Sequence, residues 1–289
     1  KLSKSLDYAL RLAISAGGNN ATSSPNLPYV GATFGNQVYL GNFAVPSTGG
    51  VIWSGDLMMF GTRDTGTSYA LVDKDANITT DISKTKAVWA ASDALSSVLW
   101  SSRKLYTRLP GTAAVPERGL KPFTTSGPNF DNALADDNTS GLKNYVATTL
   151  IAGSTDQKKV MWMAAGADTK TGAPVDGLGV PTSNRATIMG DIVNSSPSAL
   201  EYDFADSRIS SGIASHSRLA GVAGANRFRL ILVGTNQGWV HAFGEVTKKE
   251  IKTDSHGIDQ EIVTGAVQEL WSFMPTDFLT NLDYVYGQS

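Results

Sequence analysis

The 289-residue sequence contains no cysteine and only three histidines, at positions 216, 241 and 256. Without cysteine, the chain can form neither a disulfide framework nor a thiolate metal site. No serine, histidine and aspartate stand in the context of a nucleophile elbow, and no glycine-rich phosphate loop is present. His241 lies between Trp239 and Phe243 in an apolar run, which favours a structural role for its ring. The sequence therefore predicts no catalytic, cofactor-binding or metal-binding residues, and we expect a protein that is not an enzyme.

Charged side chains are also scarce, because Asp, Glu, Lys and Arg together make up 17% of the chain. Globular proteins usually contain about a quarter of such residues. The formal net charge of −2 provides no basic field that would attract nucleic acid or anionic lipid. No apolar run approaches the roughly 18 residues that a membrane-spanning helix needs. We therefore expect no nucleic-acid partner and no transmembrane segment, and a polar, weakly charged surface that is typical of extracellular β proteins.

Residues 229–275 carry the clearest structural pattern in the chain. Residues 230–233 form a short aliphatic run that is typical of a buried strand. The turn residues 235–238 follow, with Asn and Gly able to take positive φ angles. Residues 239–243 then alternate large and small side chains as a half-buried strand does, and residues 263–273 predict a third strand. Three or four antiparallel strands with an aromatic residue near the end of the last form the blade of a β-propeller.

The same pattern recurs in the N-terminal half of the chain. In both copies a glycine is followed five residues later by phenylalanine and, 29 or 28 residues after that, by tryptophan. The residues are Gly55, Phe60 and Trp89 in the first copy and Gly238, Phe243 and Trp271 in the second. Recurrence of one supersecondary unit is expected of a propeller, whereas chance coincidence in a glycine-rich chain is the alternative. If the unit is a blade, Trp271 should be buried against a neighbouring blade.

Several segments stand in a fixed order along the second half of the chain. They are residues 189–197, 233–236, 238–243, 271–275 and 281–282. Together they resemble the pilus-biogenesis adhesins of the PilY type, which are tip proteins of bacterial type IV pili with a β-propeller in their C-terminal half. Two earlier segments, 53–57 and 103–107, resemble further landmarks of that family. In one departure, Gln237 stands where the family usually has an acidic residue.

This resemblance implies a fold, a function and a set of partners. The fold class is mainly β, with propeller-like blades of antiparallel strands, a few helices and long loops. The function is type IV pilus assembly and tip-associated surface adhesion, exerted through binding. The partners are minor pilins or the pilus tip complex, together with a surface or host receptor. The location is extracellular, at the cell surface, the pilus tip or the outer membrane. The calcium loop that PilY-type propellers carry matches no segment of this chain, so no cofactor is expected within it.

Residues 73–81 have a pattern that a calcium loop could explain. They place oxygen-bearing side chains at alternate positions, as the start of a calcium loop does. The sixth position is Ile78 rather than glycine, and the twelfth is Lys84 rather than glutamate. A charged hairpin turn between Val72 and Ile82 therefore explains the pattern better than a metal site.

Two other functions remain open from the residues alone. The first is a quinoprotein-like β-propeller oxidoreductase, since quinoprotein propeller repeats share the Gly-aromatic-Phe and Leu-Trp endings. Such an enzyme needs a cofactor pocket lined by acidic and aromatic groups, which the sequence does not reveal. The second is a non-catalytic propeller scaffold of the outer-membrane assembly type.

The chain is expected to contain two regions. Residues 1–35 form an N-terminal helix and a linker, and residues 36–289 form a partial β-propeller whose clearest blade spans 228–273. The helix is predicted at 2–16 from its apolar spacing. Two readable blades are fewer than the four or more of a closed ring, so unpaired strand edges are expected.

Individual elements follow from local patterns in the second region. Strands are predicted at 36–43, 51–60, 67–72, 86–90, 104–108 and 192–202, helices at 92–100 and 142–150, a helical turn within 276–286, and loops at 110–140 and 168–181. Residues 205–225, which are rich in Ser, Ala and Gly, are expected to be exposed. Ser92 or Asp93 is expected to cap the helix at 92–100. Residues 159–163 fit a strand and a helix equally well.

Overall fold

The protein is mainly β, as the sequence predicts, and its strands form two curled sheets, one of them a half-barrel. The computed structural model describes residues 30–34, 36–44, 53–64, 69–79, 85–108, 120–123, 157–170, 172–177, 179–279, 282 and 285. The predicted helices at 2–16 and 142–150 lie outside these residues, as does most of the predicted loop at 110–140.

The first sheet contains six strands in the described part of the chain, in the order β1-β2-β3-β4-β5, with β6 also paired to β3. Its strands are β1 (Val30–Phe34), β2 (Gln37–Ala44), β3 (Ser54–Asp64), β4 (Tyr69–Val72), β5 (Ile78–Thr79) and β6 (Trp89–Ala90). Helix α1 (Ala91–Ser96) follows β6 directly, and a 3-10 turn, Trp100–Ser102, follows α1. All pairings within this sheet are antiparallel.

The second sheet has the order β8-β7-β12-β11-β10-β9. Its strands are β7 (Leu105–Arg108), β8 (Leu120–Pro122), β9 (Ser198–Tyr202), β10 (Arg227–Gly234), β11 (Val240–Thr253) and β12 (Asp259–Met274). The helices beside it are α2 (Gln157–Ala165), α3 (Ser207–Ala214), α4 (Ser217–Ala220) and α5 (Thr276–Leu279). The pairing of β12 with β7 is parallel, whereas the other pairings are antiparallel.

Each sheet contains a four-stranded antiparallel unit with the same order of strands. The units are β1-β2-β3-β6 and β9-β10-β11-β12. In each unit, the residue four positions after the glycine of the sequence repeat pairs with the repeat tryptophan. The pairs are Met59 with Trp89 and Ala242 with Trp271. The repeat seen in the sequence therefore corresponds to the same strand pairing in the same register.

The two sheets pack against each other through a shared apolar core. Its buried members from the first sheet are Tyr39, Leu57, Met59 and Trp89, and those from the second are Ile231, Val233, Phe243, Val263 and Val267. Alanines and Leu95 of α1 extend the same core. Burying a large apolar side chain stabilises the fold by about 1.5 to 3 kcal/mol relative to leaving it in water. This seam is therefore the main contact between the sheets.

One pattern of backbone hydrogen bonds recurs in several turns. Three of these turns consist of described residues throughout, 73–77, 235–239 and 254–258. In each, the first N–H donates to the carbonyl of the fifth residue, and the fourth N–H donates to the carbonyl of the first. The fourth residue is Ala76, Gly238 or Gly257, with φ of 69°, 88° and 78° respectively. A positive φ is strained for alanine, and the Asp73 carboxylate offsets this by accepting hydrogen bonds from two backbone N–H groups of the turn.

Strand β3 crosses the segment around Gly190 at a point where only glycine fits. The N–H of Gly55 donates to the carbonyl of Met189 at 3.0 Å. A Cβ atom on Gly55 would lie 2.1 Å from the carbonyl oxygen of Gly190, and one on Gly190 would lie 2.5 Å from the side chain of Gln237. Real Cβ atoms essentially never make contacts this short, so the backbone facing Gly55 excludes a side chain there, and a side chain at Gly190 would require Gln237 to shift. The missing side chain of Gly55 therefore lets two pieces of backbone touch, whereas that of Gly190 leaves room for Gln237.

The structure corrects two predictions about particular side chains. Trp271 is only partly buried, not buried, because it lies on the sheet face opposite the seam. Neither Ser92 nor Asp93 caps α1, whose N-cap is Ala90. Instead, Asp56 of β3 accepts hydrogen bonds from the backbone N–H of Ser92 at 2.9 Å and from its hydroxyl at 2.6 Å.

Other differences concern the extent of elements. Strands β1, β5 and β8 are not predicted, and β8 lies within the segment expected to be a loop. The predicted helix at 92–100 ends at residue 96, and the ambiguous segment 159–163 is part of α2. The polar segment 205–225 forms α3 and α4, because two buried apolar residues, Ile213 and Leu219, anchor them on the second sheet. Strands β11 and β12 extend well beyond the predicted ranges.

The glycine contact predicts a large effect of one methyl group. We expect Gly55→Ala to lower the free energy of unfolding by about 2 kcal/mol or more, since neither backbone segment can move aside. Gly177→Ala is the matched control, because its added Cβ meets nothing within 4 Å. Urea unfolding of both variants measures the difference. Equal midpoints for Gly55→Ala and the wild type would contradict the close contact.

Candidate functional site

A buried ion pair lies between the end of β12 and the start of β7. Arg103 donates two hydrogen bonds to the Glu269 carboxylate, both at 2.7 Å. Its third nitrogen donates to the carbonyl of Ala165, at the end of α2, at 2.7 Å. The side chains of Arg103 and Glu269 are 1% and 5% exposed. This bidentate pair therefore joins two strands and a helix at a site that water does not reach.

His241 and Ser272 complete this cluster on strands β11 and β12. The Nδ1 atom of His241 lies 2.8 Å from Oε1 of Glu269 and 2.9 Å from the Ser272 hydroxyl oxygen. The same hydroxyl donates to Glu269. Because an ionised carboxylate only accepts hydrogen bonds, Nδ1 carries the proton, and Nε2 is left as an acceptor. Among the described residues, none donates to Nε2.

This geometry differs from that of a nucleophilic triad. In a triad, one histidine nitrogen faces the nucleophile and the other faces the carboxylate. Here the serine and the glutamate both lie on Nδ1, and the Ser272 side chain is fully buried. His241 also stacks on Phe243 with ring centroids 5.7 Å apart. The cluster is therefore arranged to hold strands together, in line with the structural role expected for His241.

Burial and charge act in opposite directions on this cluster. Burial alone would raise the pKa of Glu269, but the Arg103 guanidinium and hydrogen bonds from Arg103 and His241 outweigh it and hold that pKa well below its usual range. Burial lowers the pKa of His241, and the positive charge of Arg103 adds to this, although Glu269 partly opposes it. The stable state is therefore an ionised glutamate beside a neutral histidine.

A second buried cluster links the two sheets. The Glu245 carboxylate of β11 has no exposed surface and accepts hydrogen bonds from the Tyr39 hydroxyl at 2.6 Å and the Trp89 indole at 2.8 Å. Arg229 of β10 lies 3.7 Å from the same carboxylate and donates to the Tyr39 oxygen at 3.1 Å. Burial raises the pKa of Glu245. Both hydrogen-bond donors come from the first sheet, so this carboxylate fixes how the sheets align.

The segment around Asp191 holds the turn between β10 and β11. The carbonyl of Asp191 accepts from the N–H of Asn236 at 2.9 Å, and its carboxylate accepts from the Asn236 side chain. Arg185 donates to the side-chain oxygen of Gln237 at 2.7 Å. Arg185 is therefore a specific partner of Gln237. Gln237 stands at the position where the family that this sequence resembles usually has an acidic residue.

Residues 73–77 form the hairpin turn that the sequence favours over a calcium loop. Strands β4 and β5 pair on either side of it. Asp73 uses its carboxylate on the backbone of the turn itself, and Asp75 pairs with Lys86 at 2.8 Å. Within the described ranges, no group of three or more His, Cys, Asp or Glu side chains is placed to hold a metal ion.

The outer face of the second sheet carries an open apolar groove with a volume of about 560 Å³. Its lining residues are Tyr106, Leu120, Val240, Trp271 and Phe273. Phe273 pairs with Tyr106 on one side and with Val240 on the other, so these three side chains form one row across the sheet. The aromatic residues are half-buried rather than buried, and Leu120 is 61% exposed. Because large apolar surfaces are costly in water, this groove is a candidate binding surface.

Sequence reasoning missed both ionic clusters. The signal that it passed over is a charged residue inside an otherwise apolar strand, as at Glu245 and Glu269. Such a charge is buried only when it is paired. The pairing partners, Arg103 and Tyr39, lie more than 150 positions away in the chain, so local patterns do not reveal them.

The first prediction from this site concerns the buried ion pair. We expect Glu269→Gln to lower the free energy of unfolding by about 3 to 5 kcal/mol, because it leaves the Arg103 charge buried without a counter-ion. The matched control is Glu261→Gln, which removes an ion pair with Lys249 of similar length that is open to solvent and therefore contributes little. Chemical denaturation of both variants measures the effect. Equal losses of unfolding free energy in the two variants would show that the buried pair stabilises the fold no more than the exposed pair does.

The second prediction concerns pH. Because the pKa of His241 is lowered in the folded protein, the unfolded chain binds the extra proton below about pH 6.5. The free energy of unfolding should therefore fall as the pH decreases from about 7 to 5, by up to about 1.4 kcal/mol per pH unit.

The comparison with His241→Gln isolates this effect from other titrating groups. Urea unfolding at several pH values should give a flatter pH dependence for the variant than for the wild type between pH 5 and 7. Parallel curves would mean that His241 does not stay neutral in the folded protein.

No helix within the described residues is long and apolar enough to cross a membrane. Comparisons with known protein families, with curated proteins and with solved structures found no match for this chain.

Proposed function

We propose that this chain is part of a β-propeller that serves in type IV pilus assembly and in adhesion at the pilus tip, as the PilY-type adhesins do. It acts through binding rather than catalysis and works at the cell surface. The observation that carries the proposal is the repeated four-stranded unit, taken together with the ordered segments between residues 189 and 282 that resemble this family.

The strand order supports the propeller. The units β1-β2-β3-β6 and β9-β10-β11-β12 have the same order and direction, as successive blades do. The register supports it as well, since the repeat tryptophan pairs with the equivalent residue in both units. The two units also stack face to face through an apolar seam, which is how neighbouring blades pack.

The segments that carry the resemblance also fit together in space. Segment 189–197 contacts the turn at residues 235–238 through Asp191 and Gly190. The departure at Gln237 does not disturb the turn, because Arg185 donates to its amide oxygen. Residues distant in sequence thus form one local structure, which supports reading them as parts of a single family pattern.

The proposed role is positional. The buried clusters make β11 and β12 a stiff centre. The partners proposed are minor pilins of the pilus tip and, beyond them, a surface receptor. A pilus-tip protein of this kind needs binding surfaces and no reacting group.

Deletion of the gene tests this function. In the organism that makes the protein, we expect the deletion to reduce surface pili and attachment to surfaces, and the wild-type gene to restore both. Glu269→Gln should restore less than Glu261→Gln, since the former loses the buried pair and the latter only an exposed one. Purified minor pilins should also retain the protein in a pull-down.

Three different outcomes would each contradict the proposed function in a distinguishable way. Normal piliation and attachment in the deletion strain would exclude the proposed function. Formation of a coloured complex with pyrroloquinoline quinone, together with substrate oxidation, would replace it by a quinoprotein function. Loss of outer-membrane assembly without loss of pili would favour a scaffold.

A further inference from the structure

One face of the second sheet is apolar and open. Its centre consists of Leu232, Val240, Trp271, Phe273 and Tyr106, which lie on four adjacent strands, and we call it the open face. All five side chains are half-buried, and none belongs to a hydrophobic core cluster of the described residues. Helices α3 and α4 cover the neighbouring part of the same face, around Phe228 and Val246.

The first sheet shows how an equivalent face is covered. The repeat places Tyr39, Leu57 and Trp89 of the first unit at the positions of Leu232, Val240 and Trp271 of the second. This follows from the pairings, since Tyr39 and Trp89 flank Met59, as Leu232 and Trp271 flank Ala242. Tyr39, Leu57 and Trp89 are 0%, 0% and 6% exposed, because the inner face of the second sheet packs on them. By the same geometry, the open face is shaped to receive the inner face of another sheet.

The hydrogen bond of Trp89 adds a chemical requirement. Its indole N–H donates to the buried carboxylate of Glu245 on the covering sheet at 2.8 Å. The indole of Trp271, at the equivalent position, has no acceptor among the described residues. A buried indole N–H usually finds a partner. The covering layer should therefore carry an acceptor on a central strand, as the second sheet does.

The charge of the side chains on the open face restricts the class of partner that this face can bind. The five central residues and Leu120 are all uncharged, so the centre of the open face offers no basic group to a phosphate, a nucleic acid or an anionic lipid surface. Its row of Val240, Phe273 and Tyr106 runs straight across neighbouring strands. An apolar protein layer matches this surface in shape and in polarity.

We infer that the open face docks a third β-sheet of the same propeller, which presents an apolar inner face and one buried carboxylate that accepts a hydrogen bond from the Trp271 indole. This inference rests on the propeller part of the proposed function and not on its role in pili. The row of Val240, Phe273 and Tyr106 then becomes part of a seam like the one between the two described sheets.

The absence of cysteine allows a direct test by thiol labelling. Leu120→Cys places a single thiol beside the groove at a residue that is 61% exposed. Ile251→Cys is the matched control, because Ile251 is 66% exposed on the part of β11 remote from the groove. Maleimide labelling rates are measured for the purified 289-residue chain and for the protein in its native assembly at the surface of the producing cells.

The expected result is protection of one site only. The thiol at position 120 should react about tenfold or more slowly in the native assembly than in the purified chain, since labelling then requires local opening. The thiol at position 251 should react at similar rates in both. Adding Trp271→Arg should restore fast labelling at position 120. Trp271→Phe, which keeps an aromatic ring but removes the indole N–H, should restore it partly.

A photo-crosslinker on the thiol at position 120 identifies the covering layer. Cross-links to a strand of the same propeller that contains Asp or Glu would support the inference. Equal labelling in both samples would overturn it. Three other outcomes would also overturn it. The purified chain could be protected in a dimer that Trp271→Arg dissociates, or the protection could disappear when solvent extracts a small apolar molecule. Cross-links to a separate protein are the third such outcome. Normal pili in the deletion strain would contradict only the proposed function, because these labelling results do not depend on piliation.

Discussion

The carboxylate of Glu245 sets the relative position of the two sheets. It has no exposed surface, and its two shortest hydrogen bonds come from Tyr39 and Trp89 of the opposite sheet. A carboxylate taken out of water costs several kcal/mol unless its hydrogen bonds are replaced. Apolar packing around it is non-directional and would tolerate sliding of one sheet over the other. The directional bonds to Glu245 do not, so one alignment is selected from many that would bury the same area.

The second ionic cluster applies the same constraint two to four residues farther along strands β11 and β12, where Phe243 pairs with Glu269 and His241 with Ser272. Arg103 and Glu269 join β12 to the start of β7 and to α2, while His241 and Ser272 pack into the cluster from the neighbouring positions. Both clusters lie on the inner face of the second sheet. The two ionic clusters therefore restrain, through its inner face, the same sheet that carries the open face. A rigid sheet loses little conformational entropy when another layer packs on it.

The polar clusters and the open face differ in their accessibility and in their chemistry. The one histidine in a buried polar cluster is neutral and enclosed, and its geometry with Ser272 is not that of a base and a nucleophile. The open face, in contrast, is aromatic, uncharged and accessible. The two units of the repeat differ at this face. Tryptophan at this position is covered in the first unit, because the second sheet packs on it, whereas no other sheet of the described residues packs on Trp271.

The sequence by itself determined the β character, the turn at residues 235–238, and the repeat that joins Gly55, Phe60 and Trp89 to their counterparts. These features are local, since side-chain alternation and turn chemistry act over a few residues. Only the tertiary structure decided which charges are buried, because Glu245 and Tyr39 are 206 positions apart and meet through sheet stacking. It also decided that Trp271 is half-exposed while Trp89 is buried. Identical local patterns have different environments when one face has a neighbouring layer and the other has none.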